Sequence, residues 1–402
     1  MSIKIGIIKE SKIPPDTRVP LTPKQCKLIS ENYPSITIKV QGSDNRCYSD
    51  KEYSNEGVQV SDSVEDCDIL LGVKEVPMDQ LIPSKTYLFF SHTIKEQPYN
   101  QQLLKKIVER DIHMIDYECL TNDSGMRVIA FGRWAGIVGA YNGLYTWGKK
   151  TGFLNLKRVG AFNDYESMKA SFSSLTIDPL KIVVTGDGRV ANGAAEVLEA
   201  MGIKRTSVSE FANVAGVSEA VYTQLSPCDI YERQDGGEFY LSNFFNHPEE
   251  YTCDFSKFYK GTDLMINAIY WDPKAPIYFT KEEMRSSGFR IKAIADITCD
   301  IEGSIPATLK ATTIDDPIFG YDPITEKATE PFGEHTIDIM SVDNLPNELP
   351  RDASEAFGSQ LIEFVIPELL NPDSKMIERA TIAQKGNLGL HFEYLRNYLE
   401  GR

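Results

Sequence analysis

One stretch constrains the fold of this chain more than any other. Lys-Ile-Val-Val-Thr runs into Gly186-Asp-Gly188-Arg189-Val-Ala191-Asn-Gly193, and a helix-compatible run, Ala194–Met201, follows. This is a strand, a GxGxxA turn and a helix in the order that a dinucleotide-binding βα unit requires. Gly186 permits the tight turn, Gly188 lets backbone N–H groups approach a pyrophosphate, and Ala191 allows close packing of helix on strand. The helix N-terminus adds the positive end of its dipole. The bland alternative is an ordinary glycine-rich βα turn, and the flanking strand and helix favour the first reading. Glu210 lies 24 residues after Gly186, behind a strand expected over Thr206–Ser209. A carboxylate there would bond a ribose 2′-hydroxyl. Lys204 and Arg205 stand close by and would suit a 2′-phosphate, so NAD and NADP are not separated.

The rest of the chain is organised around such units. Strands are expected at Lys4–Lys9, Ile36–Val40, Asp68–Glu75, Thr86–His92 and His113–Glu118, with helix-compatible segments between them, among them Pro23–Glu31 and Tyr99–Arg110. Strands alternating with helices indicate a parallel sheet covered on both faces. Trp134–Lys149 reads as one helix, whose Gly136, Gly139 and Gly143 imply close packing. A second alternating set follows at Lys181–Gly186, Thr206–Ser209, Asp263–Tyr270 and Lys292–Thr298. Residues 210–260 are less regular and read as an insertion, and from about residue 340 the pattern turns helix-rich.

Composition narrows the partners. The 402 residues, 42% of them hydrophobic, suffice for two domains. A net charge of −16 argues against nucleic acid. It leaves room for an anionic small substrate, provided that Arg and Lys gather locally. No apolar run is long enough for a membrane span, and the N-terminus reads as a strand rather than a signal peptide. The seven cysteines stand singly, as expected of reduced thiols in a cytoplasmic protein, and give no metal-ligand spacing. No GxSxG, HExxH or P-loop sequence occurs.

Three polar groups fall at the expected C-terminal strand ends of the first set: Lys74-Glu75, His92 and Glu118. Ligands of open α/β sheets bind just outside those ends. Singly, each has a structural reading, as a surface lysine or a strand-capping histidine; their shared edge favours a site. Arg18, in Asp-Thr-Arg-Val-Pro, and Arg127, in Arg-Val-Ile-Ala-Phe-Gly, offer planar forks for carboxylates. Structural salt bridges are the equal alternative for both.

The opening KIGIIKE and DTRVPLTP resemble the alanine dehydrogenase and transhydrogenase superfamily. GVKEVP, KTYLFFSHTIKEQ, IDYE, RVIAFGRWAG, INAIYW, ADITCDIEGSI and SVDNLPNELPRDASEAFG are similar to the lysine-forming saccharopine dehydrogenases, above all to the lysine–2-oxoglutarate reductase half of the bifunctional animal and plant enzymes. The likeness runs from about residue 3 to 370. It implies reversible, NAD- or NADP-dependent reductive condensation of lysine and 2-oxoglutarate to saccharopine through an imine. It places the acid/base pair on Lys74 and His92, and substrate contacts on Arg18, Gln97, Arg127, Phe131, Thr298 and Asp300. Cofactor contacts would fall on Gly186, Gly188, Arg189, Glu210, Tyr270, Ile297, Val342, Asp343, Asn344 and Leu345. No metal is implied, and a homo-oligomer is compatible with the sequence. The glycine turn, GDGRVANGA, departs from the common superfamily pattern. The second catalytic half of the bifunctional enzymes is absent.

The implied fold is α/β: two Rossmann-like parallel-sheet domains with an interdomain cleft, the second inserted in the first. Residues 1–135 and 341–402 would form the substrate domain, and 136–340 the NAD(P)-binding domain. The rival readings are an amino-acid dehydrogenase of the alanine dehydrogenase type and a nicotinamide-binding regulatory protein without turnover.

Overall fold

The computed structural model describes residues 2–213 and 216–402. The chain divides into two compact units, Met1–Phe131 with Pro350–Arg402, and Gly132–Leu349. Both are α/β, each built on an eight-stranded, mainly parallel sheet.

In the first unit β1 (Ile3–Ile7), β2 (Ile36–Gln41), β3 (Gln59–Ser61), β4 (Ile69–Leu71), β5 (Thr86–Phe89) and β6 (His113–Asp116) lie in the order β3-β2-β1-β4-β5-β6, all parallel. That is the doubly wound order, whose switch point falls between β1 and β4. A C-terminal hairpin, Thr381–Gln384 and Asn387–Leu388, continues the sheet antiparallel beyond β6. Period-two alternation explains why both faces are covered. Ile5, Ile7, Leu71, Leu88 and Ile115 point into one core, which Phe357, Leu361 and Val365 complete. Leu70, Tyr87, Phe89 and Met114 point into the other, which Ile382, Phe392 and Leu395 complete. The segment from Pro350 onward therefore supplies both faces. The segment after residue 340 is helix-rich as expected, and it also carries this hairpin.

The second unit holds β7 (Lys181–Thr185), β8 (Lys204–Arg205), β9 (Val221–Leu225), β10 (Tyr231–Arg233), β11 (Tyr251–Cys253), β12 (Leu264–Asn267), β13 (Ala293–Asp296), β14 (Ile318–Asp322), β15 (Lys327–Thr329) and β16 (Ile337–Met340). Its main sheet runs β15-β14-β16-β13-β12-β7-β9-β8, with β10 and β11 paired separately. The Gly132–Thr151 helix lies on this sheet, and its glycines are what let it. A Cβ on Gly136 would stand 1.9 Å from the Val190 carbonyl oxygen, and one on Gly143 would stand 2.8 Å from Ala295 Cβ. Val183, Met265 and Ile294 face an aromatic core with Phe255, Phe258 and Tyr278.

Two sequence expectations are corrected here. The strand expected at Thr206–Ser209 is β8, four residues earlier in its end, and a helix occupies Val208–Asn213. The expected insertion at 210–260 contains β9, a central strand with every residue buried; the irregular part begins only after Leu225. The unit boundaries also differ from those expected. Residues 341–349 go with the second unit because Leu345 packs at the position that a Gly139 side chain would take.

Candidate active site

At the C-terminal edge of the first sheet, neighbouring strand ends about 4.8 Å apart present Glu10 after β1, Lys74 and Glu75 after β4, His92 after β5, and Glu118 after β6. Glu10 holds the β4 loop by its main chain. Its two carboxylate oxygens accept from Val73 N (2.6 Å) and Lys74 N (3.0 Å). Although the residue is only half-buried, that carboxylate is enclosed, and burial pushes it up from the usual 4.5 to about 7.

Lys74 is half-buried, and its ammonium is held below the ordinary lysine value. Desolvation is the main cause, followed by the positive charge of Arg18; Asp16 opposes both. Glu75 orients the histidine: its Oε1 lies 2.5 Å from His92 Nδ1, while Lys12 Nζ donates to its Oε2 at 2.7 Å. Burial alone would raise the Glu75 carboxyl, but the bond and charge of His92 and the bond from Lys12 outweigh it and bring it down to about 2. His92 itself sits at φ 53°, a left-handed conformation that a non-glycine residue adopts only when its surroundings fix it. The fixing group is Asp116. Its Oδ2 accepts from Ser91 N at 2.9 Å and also from the Ser91 hydroxyl, and its Oδ1 accepts from Glu118 N at 2.7 Å. One buried carboxylate thus ties the β5 and β6 ends together.

Arg18 is buried, 3% exposed, and forked onto Asp16 through Nε–Oδ1 (3.0 Å) and Nη2–Oδ2 (2.6 Å). Its guanidinium lies 4.2 Å from the centre of the Phe131 ring, which stacks on Phe357 at 4.4 Å. Arg127 is more open and donates to Glu118 Oε1 at 2.9 Å. Gln97 follows His92 in the same loop; its side-chain oxygen accepts from Tyr99, and its main-chain oxygen accepts from Tyr398 Oη at 2.5 Å. The structure therefore gathers Arg18, Lys74, His92, Arg127 and Phe131 along one sheet edge. It adds Glu10, Asp16, Glu75 and Asp116. Of these, Glu75 was singled out from the sequence only as Lys74's neighbour at a strand end. Glu10 and Asp16 carried a usable signal, since both lie within the same short β1 loop as Arg18.

The other sequence-derived residues belong to the second unit. Gly186, at φ +97°, makes the turn after β7, and its N donates to Leu225 O on β9 at 2.7 Å. Gly188 precedes the Arg189–Ala200 helix, which has no side-chain cap, and a Cβ at Gly188 would meet nothing within 4 Å. The open approach and uncapped N–H groups suit a pyrophosphate. Arg189 is exposed, and Tyr270 is 77% exposed just past the end of β12. Ile297 packs against Gly139. Thr298 donates to Asp296 Oδ1 at 2.7 Å, inside a buried network with Asn267 and Thr308. Asp300 follows in the loop after β13. Val342 and Leu345 are buried, whereas Asp343 is exposed and Asn344 partly so.

Glu210 does not stand at the end of the strand next to the glycine turn. β8 is the edge strand, and β9 separates it from β7. The Glu210 carboxylate is exposed and accepts from Ser207 N (3.1 Å) and Ser207 Oγ (2.7 Å), the geometry of a helix cap. The strand beside β7 is β9, which ends at Leu225; Asp229 lies four residues on, where it caps the short Pro227–Ile230 helix as Glu210 caps its own. The Asp229 side chain accepts from Ser226 N at 2.8 Å and Ser226 Oγ at 2.6 Å. Gln224 of β9 also donates to Gly186 O at 3.1 Å. The signal for Asp229 was hidden because β9 lay inside what read as an insertion.

With this geometry in place, the likeness to known proteins is specific. Residues 6–138 match the alanine dehydrogenase/PNT N-terminal domain model. The alpha-aminoadipic semialdehyde synthase of Arabidopsis thaliana is 31% identical over 97% of this chain and 41% of its own length. The mitochondrial alpha-aminoadipic semialdehyde synthase of Mus musculus is 30% identical over 96% of this chain and 47% of its own length. The chain thus spans less than half the length of these curated relatives. The saccharopine dehydrogenase [NAD(+), L-lysine-forming] of Emericella nidulans is 27% identical over 92% of both chains. Among solved structures, an L-alanine dehydrogenase shares the fold over 99% of each chain with a TM-score of 0.66 at 17% identity. A transhydrogenase from Sinorhizobium meliloti does so over 96% of this chain and 99% of its own, with a TM-score of 0.61 at 14% identity.

Proposed function

We propose that the chain is a nicotinamide-dependent oxidoreductase that condenses lysine with 2-oxoglutarate and reduces the resulting imine to saccharopine, reversibly. The observation that carries this reading is the pairing, at one sheet edge, of a desolvated lysine with a carboxylate-oriented histidine. Lysine, 2-oxoglutarate, reduced cofactor and a proton give saccharopine, oxidised cofactor and water. The reduced nicotinamide supplies the hydride. The lysine nitrogen bonds to the oxo carbon, whose oxygen leaves as water, and the side chains serve these steps by moving protons and binding charge.

Loss of water from the carbinolamine needs a proton delivered to oxygen, and the amine nitrogen must lose one before it attacks. Lys74, with its proton loosened by burial and by Arg18, is suited to exchange protons with the carbinolamine oxygen. His92, held by Glu75 through Nδ1, keeps Nε2 for the amine. Arg127 is the more open guanidinium and is assigned to a substrate carboxylate. Buried and forked by Asp16, Arg18 acts chiefly through its field on Lys74. Gln97, Phe131, Thr298 and Asp300 remain assigned to substrate by resemblance.

The cofactor would lie on Gly186 and Gly188, with the Arg189–Ala200 helix N-terminus at its pyrophosphate. Arg189, Tyr270, Ile297 and residues 342–345 are assigned to it by resemblance. Asp229, four residues past the end of the strand beside β7, is assigned the ribose 2′-hydroxyl over Glu210 by its position alone, since both carboxylates cap a helix; that assignment favours NAD over NADP. Purified protein should oxidise NADH when given lysine and 2-oxoglutarate together, and not when given pyruvate and ammonia. Oxidation with pyruvate and ammonia alone would make it an alanine-type dehydrogenase. Asp229→Ser should weaken NADH relative to NADPH by about tenfold or more, while Glu210→Ala should leave the ratio unchanged; the opposite pattern would return the ribose to Glu210.

A further inference from the structure

An open cavity in the Gly132–Leu349 unit has no part in this scheme. Its volume is about 870 Å³, and it is lined by Lys150, Lys260, Arg290 and Lys292, among others. Four basic side chains line it in a chain whose net charge is −16. One acidic side chain, Glu334, is in the lining, next to His335.

The cations are not equivalent. Lys150 is nearly buried and saturated. It donates to Thr336 O at 2.7 Å, to Thr336 Oγ1 at 2.9 Å and to Gly333 O, and lies 3.6 Å from Asp338. Its role is to fold the 333–336 loop into a wall. Arg290 is half-committed, through Nε, to Asp263. Lys260 and Lys292 are exposed and form no ion pair among the described residues. Burial holds the Lys150 ammonium below the ordinary value; Asp338 opposes this by charge and hydrogen bond, and the charge of Lys292 adds to it to a smaller degree. Like charges facing one another cost free energy unless an anion lies between them. Phe153 and Phe332, 63% and 40% exposed, form an apolar lip.

The position is distinct from the glycine turn. Arg290, Ile291 and Lys292 immediately precede β13, and Ile337 opens β16. The cavity therefore lies at the N-terminal edge of a sheet whose parallel strands carry Gly186 and Gly188 at their other edge. Strands of four or five residues put about 15 Å between the two edges.

We propose that this cavity is a second ligand site, taking a small anion with at least two negative charges held between Lys260, Lys292 and Arg290. Polyphosphates and polycarboxylates share that chemistry, so pyrophosphate and citrate serve as the two probes. Calorimetric titration of the full chain should show one of them binding once per chain, more weakly as salt rises. The better of the two names the class of ligand. Lys260→Glu with Lys292→Glu should weaken it about tenfold or more, while Lys260→Arg with Lys292→Arg should retain it. Gly188→Val, which fills the dinucleotide turn instead, should abolish NADH binding and leave the anion bound. The inference is overturned if neither anion binds in the millimolar range, if charge reversal leaves the affinity unmoved, or if only Gly188→Val removes it. NADH binding measured in every variant keeps failure of the cofactor reading separate from failure of this one.

Discussion

A lysine is useful in proton transfer when its ammonium is uncomfortable, and Lys74 is made so by burial first and by Arg18 second. Lys74→Met should lower turnover by about 100-fold or more, the usual contribution of a positioned acid/base group, and His92→Gln should do likewise. Near-normal turnover in both would sink the assignment. Glu10 poses the opposite problem. Its carboxyl is raised from 4.5 to about 7, so the folded state holds the proton more tightly than the unfolded chain. The stabilisation this gives is complete below 4.5 and is lost as pH rises through 7. Glu10→Gln stays neutral throughout. The wild type should therefore lose on the order of 3 kcal/mol relative to the variant across that window, read from urea midpoints at successive pH values. A wild-type-to-variant difference that does not change with pH would show that the fold does not raise the Glu10 carboxyl. Lys74 and His92 were legible in the sequence because they end apolar strands. Asp116 was not, because a side chain that only holds others leaves no pattern of its own.

Elements meet here through missing side chains. Gly136 and Gly193 let the Gly132–Thr151 and Arg189–Ala200 helices touch backbone to backbone: a Cβ at Gly193 would stand 2.1 Å from Arg133 O. Neither carbonyl can yield without breaking its own helix. Gly136→Ala should cost about 3 kcal/mol, the upper part of the range for overpacking, measured by chemical denaturation; a loss under about 1 kcal/mol would mean that the helices move apart freely. The GxxGxxxG spacing announced this packing. The strand order around β7 was less visible. β8 has two residues, both exposed, and carries almost no hydrophobic signal. β9 is wholly buried but is flanked by an aromatic, acidic stretch that masks it. That local ambiguity is why Glu210 was expected behind a strand next to the glycine turn, where the structure has β9 instead.

At the scale of the whole molecule, the division of the chain governs what each part needs. All three tryptophans, Trp134, Trp147 and Trp271, lie in the Gly132–Leu349 unit, so their emission reports on that unit. Ending the chain before Pro350 removes Phe357, Leu361, Val365, Ile382 and Leu395 from the two cores of the other unit. Such a truncation should leave native tryptophan emission but lose the hydrogen-exchange protection of residues 3–116. Retained protection there would show that the C-terminal segment is dispensable to that core. The discontinuity also sets a schedule for synthesis. Residues up to Phe131 leave the ribosome with one face of β6 unpaired and both cores unfinished, and they wait while the entire second unit is made. At roughly 5–20 residues per second that wait lasts on the order of ten seconds or more. During it, an open strand edge is available to any other chain. The unit that begins first is thus completed last, and its unfinished cores stay exposed for as long as the chain's own middle takes to appear.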